Sequence, residues 1–151
     1  MPIPKKVYLD TNIVYGFFQN IIRGKMDHPE IIKFLAERKD VEKYISTFTV
    51  AEIVENLLKE FPYRSLKKDY IMSLVDTLRL TVDLKILQET IELSGELVDF
   101  VYECKDAKDS LHVLIAKKND LFFITRDDKV GILKSLYPNI MGEQKFKKQF
   151  Y

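Results

Sequence analysis

The sequence predicts an α/β fold built on a mostly parallel sheet, and three observations point to it. Short apolar runs of strand length recur along the chain. Between them lie longer stretches whose apolar residues repeat at helical spacing, the pattern of strands joined by helical crossovers. Acidic residues stand where strands give way to helices, at the sheet edge where open parallel sheets gather ligands. With 151 residues and no internal repeat, low-complexity tract or linker, residues 1–151 are expected to form one domain.

The elements follow in order. Residues 5–10 read as a buried strand ending in Asp10, and residues 12–23 as a helix stopped by Gly24. Asp27-His28-Pro29-Glu30 starts a second helix, with Pro near its first position. Residues 43–46 read as a strand, and Thr49-Val50-Ala51-Glu52 opens a helix that Pro62 ends. Residues 64–79 carry apolar side chains at i, i+4 and i+8. Residues 80–82 read as a short strand and residues 86–103 as a long helix. Residues 106–118 read as a helix and residues 121–125 as a strongly apolar strand. Residues 130–136 then give a short helix and residues 137–140 an edge strand. The basic, aromatic tail from Met141 reads as a solvated, frayed terminus.

Composition narrows the function classes. A net charge of +1 gives no global basic field, although Lys105, Lys108, Lys117, Lys118, Arg126 and Lys129 gather near the later acidic positions. Cys104 is the sole cysteine, which excludes a disulfide framework and a thiolate cluster. His28 and His112 lie in separate segments and make no zinc site on their own. The longest apolar stretches, such as residues 113–116 and 121–124, are too short to span a bilayer, and no signal-type core follows Lys6. No membrane partner is expected, and the cytoplasm is the natural compartment.

The chemistry lies in the acids. Asp10, Glu52, Asp109 (with Asp106) and Asp127 (with Asp128) all fall near strand ends or helix starts. Each has an ordinary explanation. Glu52 fits the third position of a capping box opened by Thr49. Asp106 would cap its helix with Asp109 in the first turn, and Asp127 or Asp128 would cap the next. Asp10 has less need of that role, since Thr11 or Asn12 could fill it. Helix capping demands no common location, whereas βα order brings all four positions to one end of one sheet. Converging carboxylates repel one another unless protonated or neutralised by a cation, and hard oxygen donors suit Mg²⁺ or Mn²⁺. His112 reads as a packed, hydrogen-bonded histidine. Tyr15, Phe17 and Phe18 could stack on bases, though aromatics at that spacing more often pack in a core or a dimer interface.

Four stretches carry a family resemblance: Val7-Tyr8-Leu9-Asp10-Thr11-Asn12-Ile13, residues 45–53 around Glu52, residues 109–116 from Asp109, and Phe123-Ile124-Thr125-Arg126-Asp127-Asp128. In that order the chain resembles the PIN-domain ribonucleases, the fold of VapC-type toxins and of RNA-processing nucleases. The resemblance implies a three-layer α/β/α arrangement. It makes Asp10, Glu52, Asp109 and Asp127 the metal-binding acids, with Asn12 and Thr125 in support. Asp106 and Asp128 are extra acids that either add a ligand or replace a neighbour. The implied reaction is RNA phosphodiester hydrolysis by metal-activated water, leaving a 5′-phosphate and a 3′-hydroxyl. It also brings a role as the toxin of a toxin–antitoxin pair into view, with an antitoxin protein and a second copy of the chain, in a homodimer, as partners. Residues 60–100 are longer than in the compact toxins. Two alternatives stay open: a silent PIN-like module that binds RNA or protein, and a haloacid-dehalogenase-type phosphatase, which Asn12 disfavours because that chemistry places a second Asp there.

Overall fold

The computed structural model describes residues 2–62, 66–88, 95–127 and 130–151. Five parallel strands form one sheet: β1 (Lys6–Leu9), β2 (Glu42–Ser46), β3 (Leu84–Leu87), β4 (Phe122–Thr125) and β5 (Ile140–Gly142), in the order β3-β2-β1-β4-β5. The described helices are α1 (Thr11–Ile22), α2 (Glu30–Glu37), α3 (Thr47–Glu60), α4 (Lys68–Val82), α5 (Gly95–Cys104), α6 (Ala107–Lys118), α7 (Val130–Leu133) and α8 (Glu143–Phe150). None of them is long and apolar enough to cross a membrane.

Strand β1 is central, and Val7, Tyr8 and Leu9 are completely buried. A strand buried on both faces reads as a continuous apolar run, which is why residues 7–9 lack alternation. Successive side chains nonetheless point to opposite faces. Val7, Leu9 and Ile124 join a core with Ile13, Phe17, Ile31, Leu35, Leu74 and Leu78, so α1, α2 and α4 cover that face. Tyr8 and Phe123 point the other way, into a second core with Phe100, Val113, Leu114 and Leu133 from α5, α6 and α7. Two apolar layers about one sheet are the three-layer α/β/α arrangement.

The strand order sets the position of the site. From β1 the chain moves outward through β2 and β3, then returns to β1's other side for β4 and β5. Between β1 and β4 the winding reverses, and the crevice beyond the C-terminal ends of those two strands is left open, the usual ligand position in such sheets. Asp10 directly follows β1 and Asp127 closely follows β4.

Several element boundaries differ from the sequence reading. Residues 80–82 are the last turn of α4 rather than a strand, because Val82 continues the buried face of Ile71, Val75 and Leu78. Asp83, left-handed at φ 57°, then ends the helix and releases the chain into β3. Ile86 and Leu87 therefore belong to a strand, and the described part of the predicted long helix is α5, Gly95–Cys104. Residues 89–94 of the predicted long helix lie outside the described residues. The helix predicted from residue 64 starts at Lys68, and α7 is shorter than residues 130–136. The edge strand lies at Ile140–Gly142, so its register starts where the predicted strand was to end. The tail is not frayed: α8 docks through Phe146, which is fully buried against Phe34.

Candidate active site

At the β1–β4 crevice a cavity of about 270 Å³ is lined by Asp10, Thr11, Asn12, Tyr15, Glu52, Asn56, Asp106, Lys108, Asp109, His112 and Asp127. The four acids singled out in the sequence thus reach one pocket from four separate segments: the β1–α1 junction, α3, the first turn of α6 and the loop after β4.

Asp10 is held on both oxygens. Its Oδ1 accepts from the Thr11 backbone N–H at 2.7 Å, so it does cap α1, contrary to the sequence reading. Its Oδ2 accepts from the Thr125 hydroxyl at 2.6 Å. The short side chain at the strand end serves the helix start and the neighbouring strand at once. Burial pushes its carboxyl up, opposed first by the adjacent His112. Thr125 Oγ1 also accepts from the Asp127 backbone N–H at 3.0 Å, and Asn12 Oδ1 accepts from the Arg126 backbone N–H at 3.1 Å. Asn12 and Thr125 therefore stitch the ends of β1 and β4 together beneath the acids.

Glu52 projects from the second turn of α3. The helix begins at Thr47, two residues earlier than expected, because Ser46 is its cap: the Ser46 hydroxyl accepts from the Thr49 N–H, and Thr49 Oγ1 accepts from the Ser46 N–H. Glu52 is thereby free of the capping box. Its Oε1 accepts from the Thr11 hydroxyl at 2.8 Å and contacts His112 Nε2. Burial pushes the Glu52 carboxyl up, but its bonds with His112 and Thr11 outweigh burial and bring it below the ordinary range.

His112 is the residue that sequence reasoning undervalued. It is packed, as expected, yet it sits in the site: Nε2 faces Glu52, and Asp10 Oδ1 lies 3.6 Å away. Nδ1 lies 2.7 Å from the Tyr8 hydroxyl, which also meets Ser46 Oγ at 2.8 Å and Thr49 Oγ1 at 3.1 Å. An ionised carboxylate only accepts, so the Nε2 proton belongs to the Glu52 contact, leaving Nδ1 for Tyr8. The signal was present in the sequence, because His112 follows Asp109 by three residues on one helix and so shares its face.

Asp109 and Asp127 form the other half. Asp109 hydrogen-bonds to Asp127, and burial together with that carboxylate pushes its carboxyl up to about 8. Its Oδ2 is buried and has no hydrogen-bond partner among the described residues. Asp106 caps α6 by accepting from the Asp109 N–H at 2.9 Å, the ordinary role weighed for it, while still lining the pocket. Asp128 lies outside the described residues.

These observations test the fit to a cation. An orphaned buried carboxylate oxygen and a carboxyl pushed up by its carboxylate neighbour both mark unbalanced negative charge, and the donors are hard oxygens of the kind Mg²⁺ and Mn²⁺ prefer. Among the described residues no three acidic, His or Cys side chains converge tightly enough to make a ready cage. Mg²⁺ needs none, since it commonly takes one or two carboxylates and keeps water and phosphate for the rest. The residues fit the group, with Asp109 Oδ2 the buried oxygen that has no partner among the described residues.

Comparison with known proteins agrees with the fold. The PIN-domain family model matches residues 7–134, and the chain belongs to the PIN-domain family. Among solved structures it is similar to the crystal structure of PAE2754 from Pyrobaculum aerophilum, at 12% sequence identity and a TM-score of 0.59, over 93% of this chain and 85% of that one. At that identity the likeness is one of fold. No curated protein matches the chain. PIN domains are generally metal-dependent nucleases, and some are inactive. The phosphatase alternative is set aside by this membership.

Proposed function

We propose that this protein is a divalent-metal-dependent endoribonuclease whose acids Asp10, Glu52, Asp109 and Asp127 hold Mg²⁺ or Mn²⁺. The observation that carries the reading is the pair formed by Asp109 and Asp127, two hydrogen-bonded carboxyls beside an orphaned buried oxygen. When bound, a divalent ion supplies charge neutralisation at phosphate oxygens and activation of water for in-line displacement.

The chain's own residues do the rest. Thr125 and Thr11 fix Asp10 and Glu52 by donating to them, so neither carboxylate has to be ordered when substrate arrives. Lys108 lines the pocket, where its ammonium favours an entering phosphodiester. A neighbouring cleft of about 540 Å³ shares Asp127 with the pocket and adds Thr125, Arg126, Lys145 and Lys147, a surface that suits the next phosphates of a strand. The same reading makes RNA the substrate and gives the chain the role of a toxin paired with an antitoxin. A groove of about 740 Å³ at the open edge of β3, beside the exposed Met72 and Leu80, supports a protein contact with an antitoxin or a second copy. A gene for a small DNA-binding protein beside this one, and a dimer mass by light scattering, test those two partners.

One observation favours a catalytically silent, RNA- or protein-binding module instead: both Asp10 oxygens already accept hydrogen bonds from the protein. Cleavage of single-stranded RNA separates the two. The nuclease cuts with Mg²⁺ or Mn²⁺, stops in EDTA, leaves 5′-phosphates, and loses orders of magnitude in turnover on Asp10→Asn with the fold retained. Absence of metal-dependent cutting by a folded protein, or equal cutting by the variant, refutes it.

A further inference from the structure

The pocket has a second tier that the acids do not use. Tyr15 stands four residues after Thr11 on α1, and Asn56 stands four residues after Glu52 on α3, so each lies about one helical turn, about 6 Å, farther along its helix. The two face the same cavity from adjacent helices. Phe17 and Phe18, the other aromatics with stacking potential, are fully buried in the core, which leaves Tyr15 as the aromatic of that group on the pocket wall.

Tyr15 is held in place from behind. Its hydroxyl donates to Glu60 Oε2 at 2.6 Å, and Glu60 also accepts from Gln19 at 2.8 Å and from Arg23 at 2.5 Å. The ring is thus tethered at its tip before any ligand arrives. Asn56, half-buried on the same wall, makes no side-chain hydrogen bond among the described residues, so its amide brings an uncommitted donor and acceptor there. A flat ring next to a neutral amide offers nothing specific to a phosphate. It offers stacking and edge recognition to a nucleobase.

We propose that Tyr15 and Asn56 form a nucleobase subsite beside the acids, with Tyr15 the stacking platform and Asn56 the residue that selects the base. This rests on the ribonuclease reading for its substrate class. The amide's donor–acceptor pair complements the N6 and N7 edge of adenine, and adenine is the occupant assigned to it. Both residues line one cavity, so the selection applies to one position next to the scissile phosphate.

The test uses labelled A5 and U5 RNA and fluorescence anisotropy in Mg²⁺, with Asp10→Asn as background so that the RNA is not turned over. The background protein should bind A5 at least about fivefold more tightly than U5. Adding Asn56→Ala should bring that ratio to about one with the melting temperature unchanged. Adding Tyr15→Leu should weaken both oligonucleotides about tenfold through lost stacking. A parallel map of cut sites in randomised RNA should show adenine beside the cut for wild type and an even distribution for Asn56→Ala. An A5 to U5 ratio that Asn56→Ala leaves intact, no weakening in a folded Tyr15→Leu, or no binding of either RNA overturns the subsite. If wild type cuts RNA with the same base frequencies as Asn56→Ala, the subsite falls and the nuclease stands. If wild type does not cut RNA but selective binding is lost in Asn56→Ala, the nuclease falls and the subsite stands.

Discussion

The Tyr8 hydroxyl lies 2.7 Å from His112 Nδ1, joining the central strand to a helix 104 residues later. The contact continues to Glu52 on one side and to Ser46 and Thr49 on the other, so a line of buried polar groups links the cap of α3 to a site acid. Tyr8→Phe removes the hydroxyl and keeps the ring. Ser46 and Thr49 still meet each other at 3.3 Å, but the buried Nδ1 of His112 loses its partner. A destabilisation of about 1–3 kcal/mol is expected in denaturant unfolding. A change within experimental error would mean that the line of hydrogen bonds does not hold the site.

Asp106 and Asp109 should separate cleanly. Asp106 engages the Asp109 backbone N–H as a helix cap, whereas Asp109 presents an orphaned oxygen. Asparagine caps a helix as well as aspartate does. Asp106→Asn should therefore keep both stability and most RNA cleavage, while Asp109→Asn should lose cleavage by orders of magnitude. The reverse pattern in a cleavage assay would exchange their roles.

Metal-free stability should fall with rising pH. The folded-state carboxyl of Asp109 titrates at about 8, against an ordinary value near 4 in the unfolded chain. Between those values the folded state holds a proton that the unfolded state has released, so its contribution is fully present below about pH 4 and lost as pH rises through about 8. Melting in EDTA from pH 5 to 8.5 should show this decline, and Asp109→Asn should flatten it. Bound cation requires the deprotonated pair, so the melting shift caused by Mn²⁺ should grow across the same range. A flat wild-type profile would contradict a raised Asp109 carboxyl.

The C-terminal helix should be integral to the fold. Phe146 is fully buried on α8 against Phe34 and Phe150. Phe146→Ala should cost about 3–5 kcal/mol in denaturant unfolding. A loss below about 1 kcal/mol would restore the tail to a solvated terminus.

That helix shows where the sequence was opaque. Lys145, Lys147 and Lys148 dominate its composition, and one buried aromatic among them gives little periodic signal. The boundary at residues 80–87 was hidden for a different reason. Leu80-Thr81-Val82 has strand-like composition, and only the left-handed Asp83 reveals that the helix runs on to Val82. The strongest features were local and plainly written: residues 5–10 as a buried strand, residues 121–125 as a strongly apolar strand, and acids beyond both. Four acids meeting in one pocket follows from parallel βα order, which the alternation of elements already implied. His112 was harder, because its role depends on Tyr8 and Glu52, residues remote in sequence that only the fold brings together.

Direct cation binding tests the central claim most closely. Titration of wild-type protein with Mn²⁺ by calorimetry should show saturable binding with proton release, and both Asp10→Asn and Asp109→Asn should weaken it at least about tenfold, since each removes one ligand charge. Wild-type protein that takes up no Mn²⁺ at millimolar concentration, or variants that bind it as tightly as wild type, would contradict the account and leave these acids as helix caps.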